Sequence, residues 1–132
     1  MHSLLIYLIQ IFIEYHLPNL LKIFYLIFGK YVANNNANGP YIYCGFRPAF
    51  ILIKNTSATA NWEITDTTRD TGNAATKHLW LNLNSAEGDS DAYDILSNGF
   101  KLRSTGYARN RDTATYIFAA FAEVPFKYAN AR

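Results

Sequence analysis

Gly45-Phe46-Arg47-Pro48-Ala49-Phe50-Ile51-Leu52-Ile53-Lys54-Asn55 is the stretch on which the reading of this chain turns. Pro48 fixes its own φ and pushes Arg47 toward extended backbone, so a strand can begin directly after it. Ala49, Ile51 and Ile53 fall on one face of a period-2 pattern, Phe50 and Leu52 on the other, and both faces are apolar. Lys54-Asn55 brings charge and a turn-former. A short β-branched run, apolar on both sides and bounded by turn signals, predicts a buried central strand.

Working outward, the segments that follow alternate in the same way. Tyr41 to Cys44 leads into the central strand after the turn cluster Asn38-Gly39-Pro40. Asn61 to Asp66 puts Trp62 and Ile64 on one face and Glu63 and Thr65 on the other, which predicts a half-buried strand with Trp62 in the core. His78 to Leu83 directs Leu79, Leu81 and Leu83 inward and Trp80 outward. Tyr93 to Leu96 and Phe100 to Arg103 flank Ser97-Asn98-Gly99, and Asn-Gly between apolar flanks is a strong hairpin signal. Thr115 to Glu123 is the longest strand, again apolar on both faces, and Pro125 ends it. Roughly seven short strands with no helix after residue 28 predict an all-β, antiparallel β-sandwich or jelly-roll-like domain. The outward apolar faces of Ala49–Ile53 and Tyr116–Phe121 need a cover, from loops, from the amino-terminal segment or from another subunit, and another subunit is the expected one.

The first 28 residues differ in composition. Between Leu4 and Phe28 stand sixteen Leu, Ile or Phe and three Tyr, broken by Glu14, His16, Pro18, Asn19 and Lys22. The apolar residues favour membrane insertion by roughly 5 to 10 kcal/mol, and the two central charges with Pro, Asn and His offset that almost fully. A spanning segment is not expected. No Lys or Arg precedes the apolar run and no small-x-small site follows it, so it does not read as a signal peptide. It predicts two short helices, capped by Ser3 and Asn19, the second stopped by Gly29. The division is therefore a hydrophobic helical segment at 1–28 and a β-domain at 29–132.

Twelve basic against ten acidic residues, without a Lys/Arg stripe, argue against a nucleic-acid partner. Arg103, Arg109 and Arg111 are spread through a Ser/Thr/Gly/Asn stretch that reads as a solvated loop. The lone Cys44 excludes an internal disulfide and reads as a small buried hydrophobe. His78 is the one histidine beyond residue 28 and reads as a strand-edge residue, so no His-based metal set or catalytic triad is expected. Glu87, Asp89, Asp91 and Asp94 could offer oxygen to Ca²⁺, but their spacing fits no EF-hand loop. No cofactor and no metal are expected. Three residues stand out as ligand-binding candidates: Trp80, able to stack on a sugar ring, and Asp66 with Arg69, three apart at a strand end.

Several separated motifs carry a family resemblance: Gly29 to Tyr31, Asn38 to Lys54, Asn61-Trp62, Asp66 with Arg69-Asp70, Ser85 to Gly88, Ser97 to Arg103, and Tyr116 to Arg132. In this order they resemble a domain of unknown function at the carboxy-terminal end of bacteriophage tail-fibre-like and LamG-type lectin-like phage proteins. The resemblance implies a non-enzymatic virion module of structure or host recognition, located in the phage tail. Its implied partners are copies of itself, other tail-fibre subunits and a host surface glycan, with no catalytic residues to carry over. Two alternatives stand beside it. One is a polysaccharide-degrading phage enzyme using Glu63, Glu87 or Glu123 with an Asp as a carboxylate pair. The other is a small membrane-anchored protein using residues 4–28.

Overall fold

A computed structural model describes residues 26–123. Its central feature is β3 (Pro48–Asn55), which begins at the proline and ends at the asparagine, as the turn chemistry demands. β3 pairs on one side with β4 (Glu63–Asp66) and on the other with β8 (Thr115–Ala122). From β3 the chain runs as a meander through β4, β5 (Ala75–Trp80), β6 (Gly88–Leu96) and β7 (Gly99–Leu102). Two further strands close the ends: β1 (Leu26–Val32) lies beside β8, and β2 (Tyr41–Tyr43) beside β7. All pairings are antiparallel, in the order β1-β8-β3-β4-β5-β6-β7-β2.

The all-β, antiparallel class expected from the alternation is therefore what the described residues form, as one eight-stranded, nearly closed sheet. The β6–β7 hairpin turns through Ser97-Asn98, with Leu96 opposite Gly99. Gly99 is required there, since a Cβ would lie 2.1 Å from the Ile42 carbonyl oxygen. The two halves of the sheet face each other across a core of Ile51, Ile53, Tyr93, Ile95, Phe100, Leu102, Tyr116 and Phe118. Phe100 of β7 meets Phe118 of β8 edge-on at 5.6 Å between centroids. Burying aromatic and branched side chains of this size, at about 1.5–3 kcal/mol each, is what drives the sheet to fold over.

The two end strands, β1 and β2, are consecutive in sequence, and residues 33–40 cross from one to the other. The Asn-rich connection is held by its own side chains. Asn36 and Asn38 donate backbone N–H groups to Asn34 Oδ1 and Asn36 Oδ1, and buried Asn110 binds Asn34, the Asn36 carbonyl and the Ser104 carbonyl. Short polar side chains satisfying nearby backbone is the mechanism by which Asn favours such turns.

Several expectations need correction. Gly29, read as a helix stop, sits inside β1, and Leu26–Phe28, read as helical, are strand residues. The remainder of the helical segment, the helix caps at Ser3 and Asn19, and Pro125 lie outside the described residues. β5 begins earlier than expected, at Ala75, and Leu81 and Leu83 are exposed beyond its end. Most consequential, β4 and β5 are turned over. Glu63, Thr65 and His78 are buried, while Trp62 lies on the exposed side rather than in the core. A strand's side-chain period is two, so a one-residue shift exchanges its faces completely.

Candidate functional site

Turning β4 and β5 over puts a carboxylate inside the protein. Glu63 is fully buried at the start of β4, opposite Trp80 of β5. An isolated buried charge would cost several kcal/mol, so it must be paired and hydrogen-bonded. Arg109 supplies the charge: its Nε lies 2.5 Å from Glu63 Oε1, and the two side chains are 5 % and 0 % exposed. The Tyr93 hydroxyl donates to the same oxygen. Arg109 Nη2 reaches His78 Nδ1 at 3.0 Å and Ser90 Oγ at 3.1 Å, and Nη1 reaches Ser104 Oγ at 3.4 Å. His78 Nδ1 also lies 3.3 Å from the Thr76 carbonyl oxygen, so this ring nitrogen sits between the guanidinium and a backbone acceptor. Glu63 Oε2 has no hydrogen-bond partner among the described residues.

Electrostatics follow from this geometry. Burial first, then the neighbouring Glu63 carboxylate, push the Tyr93 phenol well above its ordinary pKa. Burial acts against the Arg109 cation, but facing Tyr93 and Glu63 more than offset it, and the guanidinium stays charged. The cluster is an internal ion pair with a neutral phenol against it.

Arg109 was expected on a solvated loop with Arg103 and Arg111, and here the structure overturns the reading. Arg103 and Arg111 are part-exposed, paired with Asp94 and Asp112. Arg109 is buried because the loop carrying it is pinned from beneath. The Tyr31 hydroxyl donates to the Arg109 carbonyl at 2.5 Å, and the Tyr116 hydroxyl donates to the Tyr107 carbonyl while accepting from the Arg111 N–H. Tyr31 and Tyr116 stack in parallel at 5.2 Å. Three arginines in similar local sequence thus meet different fates, and the deciding signal, a buried carboxylate opposite, lies 46 residues away.

His78 is likewise buried within the sheet rather than at an edge, with neighbours β4 and β6 on either side of β5. Its ring lies across Gly88, where a Cβ would come within 2.3 Å of His78 Nε2. The ring also meets Trp80 edge-on at 4.8 Å.

Above this cluster opens a cavity of about 560 Å³. Glu63, His78 and Arg109 line its base. Trp80, Asn61, Thr59, Ser90 and Tyr107 line its walls. Trp80 is half-buried there, where an outward position was expected. Tyr107 is exposed and carries the Arg111 guanidinium against its ring at 4.3 Å.

The other candidates lie elsewhere. Asp66 stands three residues further along β4 than Glu63, about 10 Å away at strand spacing. Its carboxylate accepts the backbone N–H groups of Thr68 and Arg69 and pairs with the Arg69 side chain at 2.5 Å. Burial alone would raise its pKa, but the bonds from Arg69 dominate and lower it. Arg69 also pairs with Glu87. The structure separates Asp66 and Arg69 from the cavity that holds Trp80. Asp89 pairs with Lys77 and Asp94 with Arg103, so these acidic groups face different cations rather than one centre. Glu123 pairs with Arg47 at the surface. Cys44 is buried as expected, and burial pushes its thiol up to about 11.

Fold and site together define a small antiparallel β-domain, nearly closed, with an aromatic-walled cavity over a buried ion pair. Residues 22–125 match the family described as a domain of unknown function (DUF7483), and the chain belongs to that family. No curated protein and no solved structure matches it.

Proposed function

We propose that this domain is a non-enzymatic recognition module of a phage virion, binding a host surface glycan in the cavity beside Trp80. The observation that carries the reading is the cavity itself. It combines a half-buried indole, a hydrogen-bonding wall of Asn61, Thr59 and Ser90, and a base already locked by its own bonds. Few convergent polar groups on an aromatic-lined, preformed concavity are what small-ligand sites are built from. The phage setting is supported by the tail-fibre-like motif series read from the sequence.

The absence of a second carboxylate favours binding over hydrolysis. Glycoside hydrolysis of the common kind needs two carboxyl groups flanking one bond. Among the described residues lining the cavity Glu63 is the single one, and it is tied to Arg109 and Tyr93. The membrane-anchored alternative draws on residues 4–28, nearly all outside the described residues. The full chain on a glycan array or on host cells is expected to bind, and Trp80→Ala to abolish that binding. No binding at millimolar saccharide, or reducing-end release from a host polysaccharide, would remove this reading.

A second observation supports self-association, the other half of a fibre module's work. The outer face of β1, β8, β3 and β4 carries apolar ladders: Leu26, Phe121 and Phe50 in one row, Phe28, Ala119, Leu52 and Ile64 in the next. Phe28 is 73 % exposed. A groove of about 360 Å³ runs between Phe28, Leu52, Trp62 and Ile117. Lys30 and Lys54 stand at one margin of the face, in the Ile117 row, and Asp66 at the other, in the Phe50 row. A two-fold pairing of copies brings opposite charges together while covering the apolar rows, as isologous interfaces require. Sedimentation of the full chain is expected to show a dimer or larger species; a monomer at high micromolar concentration would exclude it.

A further inference from the structure

The base of the cavity is charged, yet it has no positive charge left to give. Every guanidinium nitrogen of Arg109 is already committed: Nε to Glu63, Nη1 to Ser104, and Nη2 to His78 and Ser90. His78 Nδ1 lies 3.0 Å from that guanidinium and 3.3 Å from the Thr76 carbonyl oxygen, so this nitrogen too is engaged within the protein. No Lys lines the cavity among the described residues, and no other Arg does. The wall groups Asn61, Thr59 and Ser90 are uncharged.

The remaining polar feature is a surplus of acceptor. Glu63 Oε2 is a buried carboxylate oxygen with no donor among the described residues, and an acceptor left in that state costs free energy until a hydroxyl or water reaches it. A ligand carboxylate or sulfate would add negative charge above Glu63, where no Lys and no Arg other than the already paired Arg109 lines the cavity among the described residues. Discrimination of this kind rests on groups left unpaired rather than on steric fit.

We infer that the cavity selects neutral saccharides over acidic ones, because Glu63 has already neutralised the arginine beneath it. This rests on the glycan-binding reading and names the ligand class of that same site. Trp80 offers the apolar surface for a pyranose ring, and the uncharged wall offers hydrogen bonds to its hydroxyls. Arg109 serves Glu63 and stays out of direct contact with the sugar.

The test is a panel of matched saccharides that differ only in carrying a hydroxymethyl group or a carboxylate at C6, titrated against the full chain at low ionic strength, where any attraction to an acid is strongest. Neutral members are expected to bind at least about tenfold more tightly than their uronic-acid counterparts. In Glu63→Gln, which keeps the side chain's shape but releases the Arg109 charge, the preference is expected to narrow or reverse. Thr59→Arg adds a cation at the exposed rim without touching the buried pair, and it should raise uronic-acid affinity even if Glu63→Gln does not fold. Equal or tighter binding of the acids by the wild-type chain would overturn the selectivity while leaving glycan recognition standing. Failure of both classes to bind would overturn both.

Discussion

The two halves of the folded sheet solve opposite problems. In β1, β8 and β3 the inward face is apolar and the outward face is apolar as well, so the half facing solvent holds Phe28, Phe121 and Ile117 in the open. In β4 and β5 the inward face is polar, with Glu63, Thr65 and His78 enclosed and Trp62 outside. The first half gains stability from its inner face and leaves its apolar outer face exposed in the single chain. The second half gives up inner apolar burial for a fixed polar cluster beneath a cavity. A hydrophobic core can be replaced piecemeal; a buried ion pair fails when either member leaves. The comparison teaches that the half bearing the cavity is the electrostatically brittle one.

The largest effect expected is at that brittle point. Arg109→Met leaves Glu63 buried without its cation and should lower unfolding stability by about 3–5 kcal/mol in chemical denaturation. Adding Glu63→Leu to it should restore much of the loss, since an apolar pair of similar volume has no charge to desolvate. If Arg109→Met alone costs less than about 1 kcal/mol, the polar half is not the brittle one and the contrast fails.

Gly88→Ala comes next. The new Cβ must displace the His78 ring, and overpacking of this sort costs about 1–3 kcal/mol. Displacing His78 also removes one of the two partners of Arg109 Nη2, so glycan binding should fall along with thermal stability. A loss of stability with binding intact would show that His78 only fills space.

Asp70 sharpens the comparison through pH. Burial alone would raise its carboxyl, but the N–H groups of Lys77, Thr76 and Gly72 hold it below its ordinary value of 3.8. A depressed carboxyl contributes stability that is complete above the unfolded value and is lost as pH falls through the lower folded one. Asp70→Asn should therefore cost about 2 kcal/mol at neutral pH, with the gap to wild type closing below pH 3.8. A gap that stays constant down to the acid limit would show that the loop is held by something other than this carboxylate.

The smallest effect on stability belongs to the apolar outer face. Phe28→Ser should change unfolding free energy by within about 0.5 kcal/mol per monomer, because the side chain buries little in the single chain. Self-association, read by sedimentation, should weaken severalfold or more. A large loss of monomer stability instead would mean that this face is already covered within one chain.

Much of the strand layout was legible. Pro48 and Asn55 bound β3, Asn98-Gly99 marks the β6–β7 hairpin, and the aliphatic run of 115–122 is β8. These are local signals, each carried by backbone chemistry within a few residues. The direction in which β4 and β5 face was not legible, because alternation reports which residues share a face and not which face meets the core. The rule that apolar residues point inward chose Trp62 over Glu63, and Glu63 was buried because Arg109 and Tyr93 meet it. Of the three candidates, Trp80 lines the cavity, while Asp66 and Arg69 form a local pair elsewhere. Arg109 and His78 had no signal of their own in sequence.

The sequence by itself determined that this is a β-protein and placed β3, the β6–β7 turn and β8, because proline geometry, Asn-Gly turns and period-2 patterning act over a few bonds. Only the tertiary structure decided which polar side chains are enclosed. A buried charge is tolerated where a partner from a distant strand or loop arrives to meet it, and that arrival depends on how the whole sheet folds over.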